Sequence, residues 1–161
     1  MNPSHETRHK PLYYERVWPS IGSLLVSAVL FPLVTLVFLP LVDTVWAVLI
    51  GAGAFLAAAL TMLSASPVIE IQVENGKSLL KVANAKIDLS HLGNVAMVPI
   101  EQAHAERGPK LHAKAFVYFQ SGVTELLKVE LLDPTDPTPY WLFSTRRPGA
   151  LAAALEANKE T

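Results

Sequence analysis

Three groups of residues carry the side chains that chemistry uses. Glu101 and His104, with Glu106 two positions on, sit at a spacing that shares one helix face and offers two or three metal ligands. One such group is not a coordination sphere. His91 and His112 stand alone in turns or strand starts, and His5 and His9 belong to an N-terminal tail. Ser144 and Thr145 are candidate nucleophiles, but no G-x-S-x-G or Ser-x-x-Lys context supplies a base or an oxyanion hole. Arg146 and Arg147 are two adjacent forks able to grip a phosphate or carboxylate bidentately, or to pair with Asp133 or Asp136 and tie down a loop. The pairing with the aspartates is the favoured reading. The chain has no cysteine, which excludes disulfides, thiol catalysis and cysteine-held metal centres. No glycine-rich loop ending in Lys-Ser/Thr follows a strand, so a P-loop nucleotide site is not indicated. A net charge of −1 gives no field that would gather nucleic acid. The expectation is a non-enzymatic protein with no catalytic residue, no metal and no cofactor.

The elements that position these residues begin with two uncharged windows, Val17–Val42 and Thr44–Ile69, each 26 residues long and separated by Asp43 alone. About 20 apolar residues at ~1.5 Å rise cross a hydrocarbon core of ~30 Å. Two buried helices of a soluble core would need far more surrounding protein than the remaining residues provide. The reading is a transmembrane hairpin over 17–66, with spans near 18–39 and 45–65. Tyr13, Tyr14, Trp18 and Trp46 stand at the ends as interfacial aromatics. Asp43 belongs to the solvated turn, and Pro32 kinks the first span. Ala47 with Gly51, and Ala54 with Ala58, form small-residue pairs for close helix approach, with Ser23 and Ser27 of the first span as the expected partners. Arg8, Lys10 and Arg16 precede the first span and the intervening turn has no cation. Both termini are therefore expected on the cytoplasmic side of the plasma membrane, with residues 1–16 a tail. The same three cations are candidate contacts for anionic headgroups.

Beyond the second span, Ile69, Ile71 and Val73 alternate with Glu70, Gln72 and Glu74, the period of a half-buried strand. Asn75-Gly76 supplies the pair that a type I′ hairpin turn prefers. Return strands are expected at Leu80–Val82 and Lys86–Leu89, then a strand at Val95–Val98 and a short helix from Pro99 to Arg107 stopped by Gly108. Ala115–Phe119 and Leu126–Leu131 read as a strand pair around Gln120-Ser121-Gly122. Tyr140–Thr145 is a further strand, and Pro148 opens a C-terminal helix with Leu151, Ala154 and Leu155 as its apolar stripe. The fold class is thus a membrane α-hairpin followed by an α+β, mainly-β cytoplasmic domain over 67–161, in the manner of a pleckstrin-homology-like bent barrel.

The doubled Asp-Pro-Thr before that last strand has residues pushed to extended conformations ahead of each proline. The expectation is a rigid extended connector, anchored by Tyr140, Trp141 and Phe143 and tied back by Arg146 and Arg147 to Asp133 or Asp136.

The stretches YYERVWPS (13–20), AHAERGPKLHAKAF (103–116) and DPTDPTPYWLFSTRRPGALAAAL (133–155) resemble an actinobacterial membrane-protein family catalogued as domain of unknown function 3093. The resemblance runs from Tyr13 to Leu155 and is most specific over Asp133–Pro148; it also takes in Glu15, Arg16, Arg107 and Gly108. It implies a small two-span protein of the plasma membrane with a compact C-terminal domain, and it implies no activity or cofactor. The segment Val117–Lys128 departs from the family by lacking a basic, tryptophan-bearing turn, which counts against lipid binding by that loop. The expected partners are the lipid bilayer and another membrane or envelope protein, or copies of the chain itself. Binding of anionic headgroups or a small anion is the alternative, and an enzyme acting on a lipid intermediate is a third.

Overall fold

The computed structural model describes residues 11–159. The chain divides into a helical unit (residues 18–66 with 120–123) and a β-rich unit formed by the rest.

In the helical unit, the first apolar window forms α1 (Ile21–Ala28) and α2 (Leu30–Phe38), and the second forms α3 (Thr44–Ser64). The break at Val29 has a local cause. Pro32 has no N–H to give to the Ala28 carbonyl four residues back, and its ring crowds that carbonyl, so helix α1 ends there. The helical stretches Ile21–Phe38 and Thr44–Ser64 are long and apolar enough to cross a membrane. Their apolar side chains point outward: Ile21 is 78% exposed, Val26 73% and Val45 70%. Ala47 and Gly51 are the buried residues of α3. A Cβ at Gly51 would collide with the Thr35 hydroxyl and approach the Phe31 carbonyl to 2.7 Å, so only glycine lets α2 and α3 come this close. At Gly51 the small-residue face therefore meets Phe31 and Thr35 of α2. The Ser23 and Ser27 hydroxyls donate back to the Ser20 and Leu24 carbonyls, at 2.7 Å each. Asp43 lies in the turn, as the N-cap residue of α3.

The β-rich unit has two four-stranded sheets. The first has order β1-β2-β3-β4, from β1 (Tyr13–Arg16), β2 (Val68–Glu74), β3 (Lys77–Val82) and β4 (Ala85–Asp88), all antiparallel. Asn75 and Gly76 have φ of +54° and +77°, the positive pair that a type I′ turn requires. That turn sets Ile69 opposite Val82 and Ile71 opposite Leu80, and all four are fully buried. The opposite face carries Lys81–Glu70 (2.9 Å), Lys86–Glu74 (3.0 Å) and Lys77–Asp88 (3.3 Å) as cross-strand ion pairs. Residues 13–16, assigned by sequence to a tail, are the edge strand of this sheet. Their Tyr13/Glu15 face is set by pairing with Ile71 and Ile69.

The second sheet has order β5-β7-β8-β6, from β5 (Leu92–Val98), β6 (Phe116–Tyr118), β7 (Leu126–Leu131) and β8 (Tyr140–Ser144). Here β6 does not form the expected pair with β7. It lies parallel to β8, while β7 sits between β5 and β8. The connection 120–123 groups with the helical unit, where the Ser20 N–H donates to the Ser121 carbonyl at 3.3 Å. A connection engaged in that way is not a tight hairpin turn. One face of this sheet buries Leu127, Val129, Trp141 and Phe143, and the Phe116 ring packs on Trp141 at 4.6 Å. On the other face Leu126 and Leu142 lie under Ala103 of α4 (Ile100–Arg107). Helix α5 (Pro148–Asn158) starts at its proline, buries Leu151 and Leu155, and packs on β5 and β7.

Candidate functional site

The fixed point of the C-terminal connector is a residue from the other end of the chain. Glu15 on β1 is only 7% exposed. Its Oε2 accepts from the Tyr13 hydroxyl at 2.8 Å and from the Thr145 hydroxyl at 2.6 Å, and its Oε1 accepts from the Arg146 N–H at 2.7 Å. Thr145 Oγ1 in turn accepts from the Arg147 N–H at 3.1 Å. Strand alternation places Tyr13 and Glu15 on one face, so phenol and carboxylate meet without strain. Burial, then the hydrogen bond to Glu15 and its negative charge, push the Tyr13 phenol well above the usual tyrosine range, and Arg147 opposes the shift. Thr145 and Ser144, the sequence candidates for nucleophiles, are 0% and 1% exposed, and Thr145 is part of this node.

The aspartates of the doubled motif act locally. Asp133 Oδ1 accepts from the Thr135 N–H at 2.8 Å and the Thr135 hydroxyl at 2.7 Å, and its other oxygen lies 3.7 Å from His91 Nδ1. The Thr135 hydroxyl and amide, helped by His91, hold the Asp133 carboxyl below its ordinary value. Asp136 Oδ1 accepts from the Thr138 N–H at 2.8 Å. The Asp136 N–H donates to the Asp133 carbonyl at 3.3 Å, so the connector opens with a turn at Pro134-Thr135 rather than running extended throughout. At the far end of the connector Glu15 makes a tie by holding the Arg146 backbone. The short-range turns form because Asp side chains reach an N–H two residues on.

Tyr140 and Trp141 start β8 and diverge. Trp141 is buried in the core, whereas the Tyr140 hydroxyl accepts from the His112 N–H at 2.9 Å. Lys128 Nζ lies 4.2 Å from the Tyr140 ring centroid and 2.9 Å from Glu106 Oε2. Beside them Asn94, Ala96, Glu130 and Pro139 complete an open cleft of about 380 Å³. Its polar groups are the Lys128 ammonium laid on the Tyr140 ring, the Glu130 carboxylate and Asn94. Glu101 and His104 are exposed on α4, and Glu106 is engaged by Lys128. Among the described residues no three His, Cys, Asp or Glu side chains are arranged to hold a metal ion. Arg16 ends β1 opposite Val68, and Arg8 and Lys10 lie outside the described residues.

The sequence reading placed Tyr13 among interfacial aromatics, whereas it lies on β1 bonded to Glu15; it reached Glu15 only through the family resemblance and missed Lys128. A signal for the first two was present in Tyr-Tyr-Glu-Arg-Val, whose alternation continues onto buried Val17. Nothing along the chain points to Lys128, because its partners come from α4 and β8. Comparison with curated proteins and with solved structures found no match. Residues 12–155 match the family described as "Protein of unknown function (DUF3093)", and the chain belongs to that family.

Proposed function

We propose that this protein is a membrane-anchored interaction module. Its two apolar helices form the anchor, and its β-rich unit, read as a pleckstrin-homology-like cytoplasmic domain, docks another membrane or envelope protein or a second copy. One observation carries this reading. The apolar helices, with outward-facing side chains, are spliced directly into the first sheet: four residues (17–20) join β1 to α1 and three (65–67) join α3 to β2. Arg16 pairs with Val68 across β1 and β2, so both spans leave from the same end of one strand pair. An anchor so placed is part of the fold rather than a detachable leader. A four-strand meander, a second sheet and a C-terminal helix support the pleckstrin-homology-like reading, from which the parallel β6 departs. Cations before the first span and none in the turn support cytoplasmic termini.

Two measurements test this. Alkaline carbonate washing of membranes should leave the protein in the pellet. Mild-detergent isolation after cross-linking in membranes should recover one stoichiometric partner or a dimer. Release by carbonate would overturn the anchor, and a monomer without any cross-linked species would overturn the docking role.

A further inference from the structure

One concave surface of the β-rich unit presents polar groups that the docking reading does not use. Helix α4 covers only part of one face of the second sheet. Leu126 and Leu142 lie under its Ala103, whereas Ala96, Lys128, Glu130 and Tyr140, on the same face, line the open cleft of about 380 Å³. That volume is at the small end of the roughly 300–1,000 Å³ of ligand sites. Ala96 pairs with Lys128 across β5 and β7, and its short side chain leaves the space.

Both charged groups of the cleft are held in place. The Lys128 ammonium lies 2.9 Å from Glu106 Oε2 and 4.2 Å from the Tyr140 ring centroid, and the Tyr140 hydroxyl is itself fixed by the His112 N–H at 2.9 Å. An ammonium has three N–H donors, so the bond to Glu106 leaves others for a ligand. Glu130 Oε2 accepts from the Asn94 N–H at 3.3 Å. That bond forms where the pairing of β5 with β7 shifts between Leu92 and Val95, because an irregular backbone turns an N–H toward a side chain. A Cβ on Gly93 would come within 3.0–3.1 Å of the Glu130 carboxylate and stem, so glycine there makes room for this side chain. The other Glu130 oxygen and the Asn94 side-chain amide have no partner among the described residues.

Lys128 and Glu130 alternate along β7, with Cα atoms about 7 Å apart. That span suits an ammonium and a carboxylate on one carbon, with a hydrogen bond at each end. Glu106 stands beside Lys128, and Lys159 Nζ donates to the Gly93 carbonyl at 2.6 Å. With these two cations balancing Glu106 and Glu130, the surroundings favour a ligand whose own charges sum to zero. Tyr140, Pro139 and Ala96 supply an apolar wall. We infer that the cleft is a binding site for a free α-amino acid with an apolar side chain. Its ammonium meets Glu130 and Asn94, its carboxylate meets Lys128, and its side chain lies against Tyr140 and Pro139. The site belongs to the β-rich unit alone, and it stands or falls independently of the anchor and docking reading.

The test dialyses the full chain in detergent micelles to equilibrium against radiolabelled L-leucine, with empty micelles as the reference. Leucinamide lacks the carboxylate and N-acetyl-leucine lacks the ammonium. Each should displace the label about tenfold less well than unlabelled leucine, the scale of one charge-assisted hydrogen bond. Glu130 is exposed, so Glu130→Gln should fold, as a Tm checks. It should remove the advantage of leucine over N-acetyl-leucine and keep the advantage over leucinamide. Asn94→Ala, which deletes a side chain bonded to nothing in the described protein, should weaken leucine several-fold without lowering Tm. Label no higher than in empty micelles, equal displacement by the three compounds, or an unchanged preference in both variants would overturn the inference.

Discussion

Replacing Glu15 tests the central structural claim, that the first strand locks the C-terminal connector. In Glu15→Ala the Thr145 hydroxyl, fully buried, and the Arg146 N–H lose their acceptor, and the half-buried Tyr13 hydroxyl loses its own. Each desolvated donor left without a partner costs about 1–3 kcal/mol. Tyr13 is within reach of water, so two donors set the scale, and a loss of about 3 kcal/mol is expected. At roughly 2–4 °C per kcal/mol for a chain of this size, Tm should fall by about 6–12 °C. Glu15→Gln keeps the shape but turns an NH2 toward a donor, and should cost about 2 kcal/mol. Thermal melts of detergent-solubilised protein, followed by tryptophan fluorescence, provide the readout. Trp141 in the adjoining strand β8 reports on the site. A double-mutant cycle with Thr145→Val should show a coupling of about 1–2 kcal/mol. A Glu15→Ala Tm within about 1 °C of the parent, or strict additivity with Thr145→Val, would refute the lock.

Three further outcomes follow from the same structure. The Tyr13 phenol is raised, so the folded state keeps a proton that the unfolded state releases above about pH 10. Its contribution is fully present below that pH and is lost as pH rises further. The slope is at most about 1.4 kcal/mol per pH unit and is reduced because solvent reaches the ring. Melts between pH 9 and 11 should therefore fall more steeply for the parent than for Tyr13→Phe, and parallel curves would exclude the effect. Ala83 holds φ +54° in the β3–β4 turn, where a Cβ is unfavourable, so Ala83→Gly should stabilise by about 0.5–1 kcal/mol, read as a higher Tm. Gly51→Val should force α2 and α3 apart at Thr35 and cost about 1–3 kcal/mol; unchanged resistance to thermal unfolding in detergent would contradict the close approach.

Much of the architecture is legible in the order of residues alone. The two uncharged windows, the alternation at Ile69–Val73 and the Asn75-Gly76 turn depend on period and local backbone preference, and the helices and strands form where those patterns lie. Pro32, Gly108 and Pro148 act within one helical turn, so their effects are also readable locally. What the chain order does not reveal is which distant residue satisfies a buried group. The Asp133 and Asp136 carboxylates find amides two positions away, whereas the Arg146 amide and the Thr145 hydroxyl find Glu15 about 130 residues earlier. That partnership exists only because β1 joins the first sheet, and β1 joins because its residues complete the edge beside β2. The β6 strand makes the same point: its composition marks it as a strand, but its partner depends on where 120–123 are engaged. Local sequence determined most of the elements, their faces and the two long apolar helices. Tertiary structure decided the strand partners, the Glu15 lock and the Lys128–Tyr140 cleft, because long-range pairing follows from which buried polar groups must be satisfied once the sheets have assembled.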